Sequence, residues 1–272
     1  MFSGLSVIAG SLFLFGKSVM RFRPCIDLHQ GRVKQIVGST LASDQATLHT
    51  NFSSELPASH YAHMYRRDNL PGGHIIMLGP GNEAAAGEAL DAWPGGMQVG
   101  GGITGDNALF WLDRGASHLI VTSHVFHDGL LDKERLNHLT RLAGKERLVL
   151  DLSCRWREDG YYVVTDRWQK FTSLRISPAV LEELAAFCDE FLIHAVDVEG
   201  KCMGIDTRLL ELLATSVPAP TTYAGGVSSL ADLERIRTSG KGRIDVTVGS
   251  ALDIFGGSGL RYQDVVAYHA RN

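Results

Sequence analysis

The stretch VGGGI (99–103) returns as AGGV (224–227), so that Gly101 and Gly102 fall on Gly225 and Gly226 at an offset of 225 − 101 = 124. The same offset carries CIDL (25–28) onto VLDL (149–152) and places Asp27 on Asp151, since 151 − 27 = 124. A looser pair, IVTS (120–123) against TVGS (247–250), sits at 250 − 123 = 127. Self-similarity at a fixed spacing marks one structural unit used more than once. A doubly wound sheet has no reason to repeat in this way. A barrel of eight strands does, because it divides into two halves of four.

Outward from the repeat, short apolar runs alternate with helical patterns. Strands are predicted over 22–28, 74–79, 97–100, 117–122, 147–152, 190–196, 220–224 and 244–249. Helices are predicted over 82–92, 105–114, 130–143, 178–188, 206–215 and 229–238. In the last of these Leu230, Leu233 and Ile236 follow helical spacing, and Ser228 or Ser229 serves as N-cap. Eight strands alternating with helices imply a parallel sheet, and eight is the number that closes into an α/β, (β/α)8 TIM barrel. Pro24 conflicts mildly with the first strand but is tolerated near a strand start. No linker-like stretch divides the halves, so residues 20–272 are read as a single barrel domain.

Residues 1–19 differ in character. Their apolar run from Leu5 to Phe15 is too short for a membrane span and lacks the basic start of a secretory signal. They are read as a non-core extension, with an organelle-targeting segment as the rival reading. Hydrophobic residues at 44% and charged residues at 21% describe an ordinary soluble chain with a core. A net charge of −4 argues against a broad basic surface for nucleic acid. It leaves room for anions held by backbone N–H groups. Cys25, Cys154, Cys188 and Cys202 form no C-x-x-C pair, so neither a disulfide framework nor a zinc knuckle is indicated. A reduced, cytoplasmic setting follows.

In such barrels the chemistry sits at the C-terminal strand ends. An aspartate there can be a mere turn or capping residue. Asp27 and Asp151 are a symmetric pair, however, on strands one and five, which face each other across the mouth. Two opposed carboxylates can divide the roles of acid and base. Gly101 with Gly102, and Gly225 with Gly226, end strands three and seven. Thr122 with Ser123, and Gly249 with Ser250, end strands four and eight. Glycine lets backbone approach a phosphate, and a helix start after either serine would offer free N–H groups and a positive dipole end. Two such cradles imply a substrate with a phosphate at each end.

Further candidates carry alternatives. Arg32 and Lys34 could reach a phosphate or lie in solvent. His194, in strand six, lines the site or is a buried, satisfied histidine. Trp168 lies in the long connection 153–177, which is expected to act as a lid, and its ring could stack on a heterocycle. His60 and His63 share a helix face without an acidic third ligand, so a solvated surface outweighs a zinc site there.

The segments CIDLHQGRVKQIVG (25–38), QVGGGI (98–103), VLDLSCR (149–155), FLIHAVDVEG (191–200), YAGGV (223–227) and VGSALDIFGG (248–257) together resemble the eukaryotic branch of the ProFAR isomerases. The resemblance covers residues 21–268. It implies a twofold-repeated barrel of histidine biosynthesis that performs an Amadori rearrangement on a bisphosphorylated, nucleotide-like small molecule, without metal or cofactor. A monomer is expected, although the sequence itself carries no sign of oligomeric state. By position it makes Asp27 the general base and Asp151 the general acid. Bacterial members carry a strand-six threonine and a following Asp-Gly, whereas this chain reads HAVDVEG (194–200). Auxiliary roles there do not transfer, and Asp197 is the nearest polar candidate. Two rivals stand: the related imidazole glycerol phosphate cyclase, which needs a glutaminase partner, and a catalytically silent phosphosugar-binding barrel.

Overall fold

The computed structural model describes residues 19–36 and 50–271. The extension expected at 1–19 therefore lies outside the described residues, except for Val19. The barrel strands are β1 (Cys25–His29), β2 (Gly73–Met77), β3 (Met97–Gly100), β4 (Leu119–Val121), β5 (Leu148–Asp151), β6 (Glu190–His194), β7 (Thr221–Ala224) and β8 (Ile244–Val246). The helices that follow them are α1 (Ala58–Arg67), α2 (Glu83–Ala92), α3 (Ala108–Asp113), α4 (Lys133–Ala143), α5 (Pro178–Leu184), α6 (Thr207–Ser216), α7 (Leu230–Ser239) and α8 (Tyr262–Arg271).

The eight strands run parallel in sequence order. The circle closes where Phe22 bridges Val246 in parallel, with Arg23 N–H donating to Val246 O at 2.8 Å and Val246 N–H to Arg21 O at 2.9 Å. This is the (β/α)8 barrel the repeat implied. Strands β3 and β7 keep the sequence offset, 221 − 97 = 124. Pro24 stands just before β1, where its carbonyl accepts from His74 N–H and its missing N–H is not needed. Ser229, rather than Ser228, caps α7, in a capping box with Asp232.

Period two along each strand sends alternate side chains into the barrel. On β6 this stacks Glu190, Leu192 and His194 from bottom to top. Glu190 joins a buried polar layer in which Arg23 contacts it at 3.4 Å and Asp245 at 2.9 Å, while Gln98 and Thr222 donate to its carboxylate. Leu192 packs with Ile120, Val149 and Ala224 in a small apolar plug. His194 stands above the plug with the upper polar groups. Outside the barrel, a separate and larger apolar layer joins strands to helices, with Ile26, Leu119, Leu148 and Phe191 among its buried members.

Among the described residues, three antiparallel additions break the simple alternation, the smallest being the pair Phe126–His127 and Leu130–Leu131 after β4. After β1 the chain turns back through Gln30 and Gly31, at φ 54° and 73°, into Arg32–Ile36, which pairs antiparallel with β1 and with Thr50–Ser53. Positive φ at both central residues suits a two-residue hairpin. After β5 the connection predicted as a loop is a three-stranded antiparallel sheet: Cys154–Arg157, Gly160–Thr165 and Lys170–Arg175. Its second turn runs through Asp166, Arg167 and Trp168, at φ 52°, 58° and 65°.

Candidate active site

At the C-terminal ends of the strands the polar residues of the two half-barrels meet around two adjoining cavities, of about 470 Å³ and about 40 Å³. The larger is of a size that encloses a drug-sized ligand. Gly101, Gly102, Thr122 and Ser123 line it on one side, and Arg167 and Trp168 reach it from the inserted sheet. Gly225, Gly226, Gly249 and Ser250 line the smaller one. Asp27, His194 and Glu199 line both, and Asp151 lines the larger. The repeated glycine pairs therefore flank one set of acidic groups.

The surroundings of the two aspartates differ sharply. Asp151 is buried and receives three donors: His194 Nδ1 at 3.2 Å and Ser153 Oγ at 2.8 Å on Oδ1, and Thr122 Oγ1 at 3.2 Å on Oδ2. Burial alone would push its pKa up, but the His194 charge and the three hydrogen bonds outweigh it and hold it below the usual range. Among the described residues, Asp27 has a single side-chain donor, Gln35 Nε2 at 3.0 Å on Oδ2. Burial first, and then repulsion from Glu199, raise its pKa to about 7, against the opposing pull of His194 and Gln35. His194 loses charge stability to burial, yet the Asp151 carboxylate and its hydrogen bond, with Glu199 and Asp27 beyond, raise its pKa to about 9.

Several sequence candidates sit elsewhere. Arg32 is exposed and pairs at 3.6 Å with Glu55, away from both cavities. Asp197 accepts from Arg155 Nε at 2.8 Å and Trp156 N–H at 3.3 Å, and lines neither cavity. His60 and His63 lie on the exposed face of α1, opposite the buried Tyr61 and Tyr65. The helix dipoles expected after Ser123 and Ser250 give way to single 3-10 turns, Ser123–Val125 and Asp253–Phe255, too short to sum a macrodipole. Trp168 does reach the site, its ring 5.9 Å from that of His194.

Among the site residues that escaped sequence reasoning are Ser153, Arg167, Glu199 and Gln35. Glu199 enters both cavities from the loop after β6; the signal that marks it is its place directly before Gly200, the acid-then-glycine order of the bacterial members. Gln35 comes from the inserted hairpin and also accepts from Ser250 Oγ at 3.4 Å, so it spans from Asp27 to the smaller cradle. Nothing in its polar surroundings, RVKQI, marks it. No cluster of three or more metal-ligating side chains occurs among the described residues.

Comparison with known proteins decides the family. The model described as "Histidine biosynthesis protein" matches residues 21–257, which include every strand of the barrel. The chain belongs to the histidine biosynthesis protein family. Within that family it is similar to the chloroplastic 1-(5-phosphoribosyl)-5-((5-phosphoribosylamino)methylideneamino) imidazole-4-carboxamide isomerase of Medicago truncatula, at 59% identity over 92% of this chain and 82% of the relative. Isomerases of the same name from Neurospora crassa, at 48% identity over 92% of this chain and 99% of the relative, and Saccharomyces cerevisiae, at 44% over 92% and 98%, are similar along nearly their whole lengths.

Proposed function

We propose that this protein is an aldose–ketose isomerase of L-histidine biosynthesis, catalysing the Amadori rearrangement of the aminoaldose ProFAR to its aminoketose by acid–base chemistry. The observation that carries the reading is that Asp27 and Asp151 line one cavity between the repeated glycine pairs. A doubly phosphorylated substrate can lie across it with its ribose between the carboxylates. The relatives support the same reaction, because each carries the isomerase name. They lend nothing to the cyclase or to a silent binding barrel.

In this reading the ring oxygen of the aminoaldose takes a proton on the Asp151 side, the C1–O bond breaks, and the amino nitrogen lone pair forms the Schiff base. Asp27 then removes the C2 proton to give an enolamine, which ketonises. A pKa of about 7 suits Asp27 to the base role, since a base is most effective when it titrates near the working pH. Gly101, Gly102 and Ser123 would hold one phosphate, and Gly225, Gly226, Gly249 and Ser250 the other. Trp168 would stack on the heterocycle.

We take the enzyme to act as a monomer on a small molecule, with no metal or cofactor required by the chemistry. No described helix is long and apolar enough to cross a membrane. We propose residues 20–272 as the catalytic domain. A cytoplasmic location is proposed, with an organelle as the alternative, since the Medicago relative is named chloroplastic.

The test is to supply the aminoaldose alone and follow its spectral conversion. Turnover without ammonia or a second protein is expected. Turnover that appears only with glutamine-derived ammonia and a partner would overturn the reading in favour of the cyclase.

A further inference from the structure

A carboxylate that accepts three hydrogen bonds has no proton to give. That is the state of Asp151 in the free protein, with His194, Ser153 and Thr122 all turned toward it. Yet ring opening requires a proton delivered to the sugar oxygen. Of the three donors, two are hydroxyls that do not ionise in the working pH range. The third is an imidazole that does.

We propose that His194 is a positioning residue that stores, as its imidazolium Nδ1 proton, the proton which Asp151 passes to the ring oxygen. The proposal rests on the isomerase reading above and adds to it the source of the acid. The step balances. The Nδ1 proton moves to the Asp151 carboxylate as that group protonates the ring oxygen. The C1–O bond breaks with its pair on oxygen, the nitrogen lone pair forms the C=N bond, and His194 is left neutral. After Asp27 has taken the C2 proton, one proton returned from Asp27 to His194 resets both groups.

The groups facing His194 favour this role. Asp151 from β5 lies at 3.2 Å, Asp27 comes from β1, and Glu199 comes from the loop that follows β6. Three carboxylates thus surround one ring, and they raise its pKa to about 9 despite burial. The other neighbours do not compete for the charge. His74 from β2, with its ring 6.5 Å away at 81°, is held neutral by burial at a pKa of about 3. Trp168 covers the ring at 5.9 Å and carries no charge. The side chains of His194 and Asp151 are 13% and 12% exposed, which shields the stored proton from rapid loss to solvent.

The test combines a titration with a rate profile. In the substrate-free wild type, the His194 imidazole followed by NMR should titrate near 9, and in Asp151→Asn it should fall toward the ordinary histidine range, roughly 6.5. His194→Asn keeps an amide donor near Asp151 but cannot ionise. In it kcat should fall by roughly 10²-fold, with the alkaline limb near 9 lost and product binding within about threefold of wild type. A His194 that titrates at or below about 6.5 in the wild type would overturn the proposal whatever the turnover. So would His194→Asn with a wild-type alkaline limb and kcat within about threefold. Absence of wild-type turnover, with the NMR titration as expected, would instead overturn the isomerase reading and the ring-opening step with it, while the ion pair stood.

Discussion

Gln35 donates through Nε2 to Oδ2 of Asp27 at 3.0 Å, from a hairpin that lies outside the barrel's repeated unit. This contact stabilises the ionised carboxylate and partly offsets the burial and Glu199 repulsion that raise Asp27. Replacing Gln35 by Leu removes the donor, so the Asp27 pKa should rise further. The acid limb of kcat/KM should then move above 7, with a greater loss at pH 6.5 than at pH 8.5. An unmoved limb would show that the amide does not tune Asp27.

Asp27 also sets a stability cost. Its folded pKa of about 7 exceeds the ordinary 3.8, so the folded protein holds this proton more tightly than the unfolded chain does. The cost is absent below the unfolded pKa, grows as pH rises between the two values, and is complete above about 7, where it is on the order of a few kcal/mol. Asp27→Asn should therefore raise Tm by several degrees at pH 8 and leave it nearly unchanged at pH 4. Thermal melts at the two pH values check this, and equal shifts at both would contradict the assigned cause.

At the opposite end of the barrel, Arg23 pairs with two buried carboxylates, Glu190 and Asp245, the second of which Arg21 also holds at 3.0 Å. Arg23→Met leaves Glu190 with only the neutral donors Gln98 and Thr222, while Asp245 keeps its ion pair with Arg21. Breaking a buried pair typically costs roughly 3–5 kcal/mol. Urea denaturation should show a loss of that order, and a change within about 0.5 kcal/mol would contradict the role given to Arg23. Activity per folded molecule should stay near wild type, because the apolar plug separates this layer from the site.

The glycine cradles differ in tolerance. Gly102 has φ +76° and open space where a Cβ would point, so Gly102→Ala meets backbone strain alone, roughly 1–2 kcal/mol. Gly226 has φ +75°, and a Cβ there would strike the Gly204 carbonyl oxygen and lie 2.9 Å from Val198 Cγ2. Gly226→Ala should therefore lower Tm more than Gly102→Ala and raise KM as the loop after β6 shifts. Equal effects in melts and steady-state assays would argue against a close backbone fit at the smaller cradle.

The barrel was legible because its strands are near-continuous apolar runs, as expected of parallel strands covered on their outer face, and because the repeat aligned them. Asp27, Asp151 and the glycine pairs were legible for the same reason: symmetry-related positions reveal one another. The insertions obey no symmetry. The sheet at 154–175 did leave a local trace, Asp159-Gly160 followed by YYVVT (161–165), which is a hairpin signal. Gln35 and Glu199 left less, since each enters the site from a polar segment where periodicity says nothing about direction. Asp197 misled because nearness in sequence is not nearness in space: its carboxylate turns outward to Arg155 while Glu199, two residues on, faces inward.

The most direct measurement compares Asp27→Asn and Asp151→Asn with wild type in single-turnover conversion of the aminoaldose, alongside binding of the aminoketose product by calorimetry. Each variant should bind product within a few-fold of wild type and lose roughly 10²-fold or more in rate. Near-wild-type rates in both would contradict the claim that these opposed carboxylates carry the reaction.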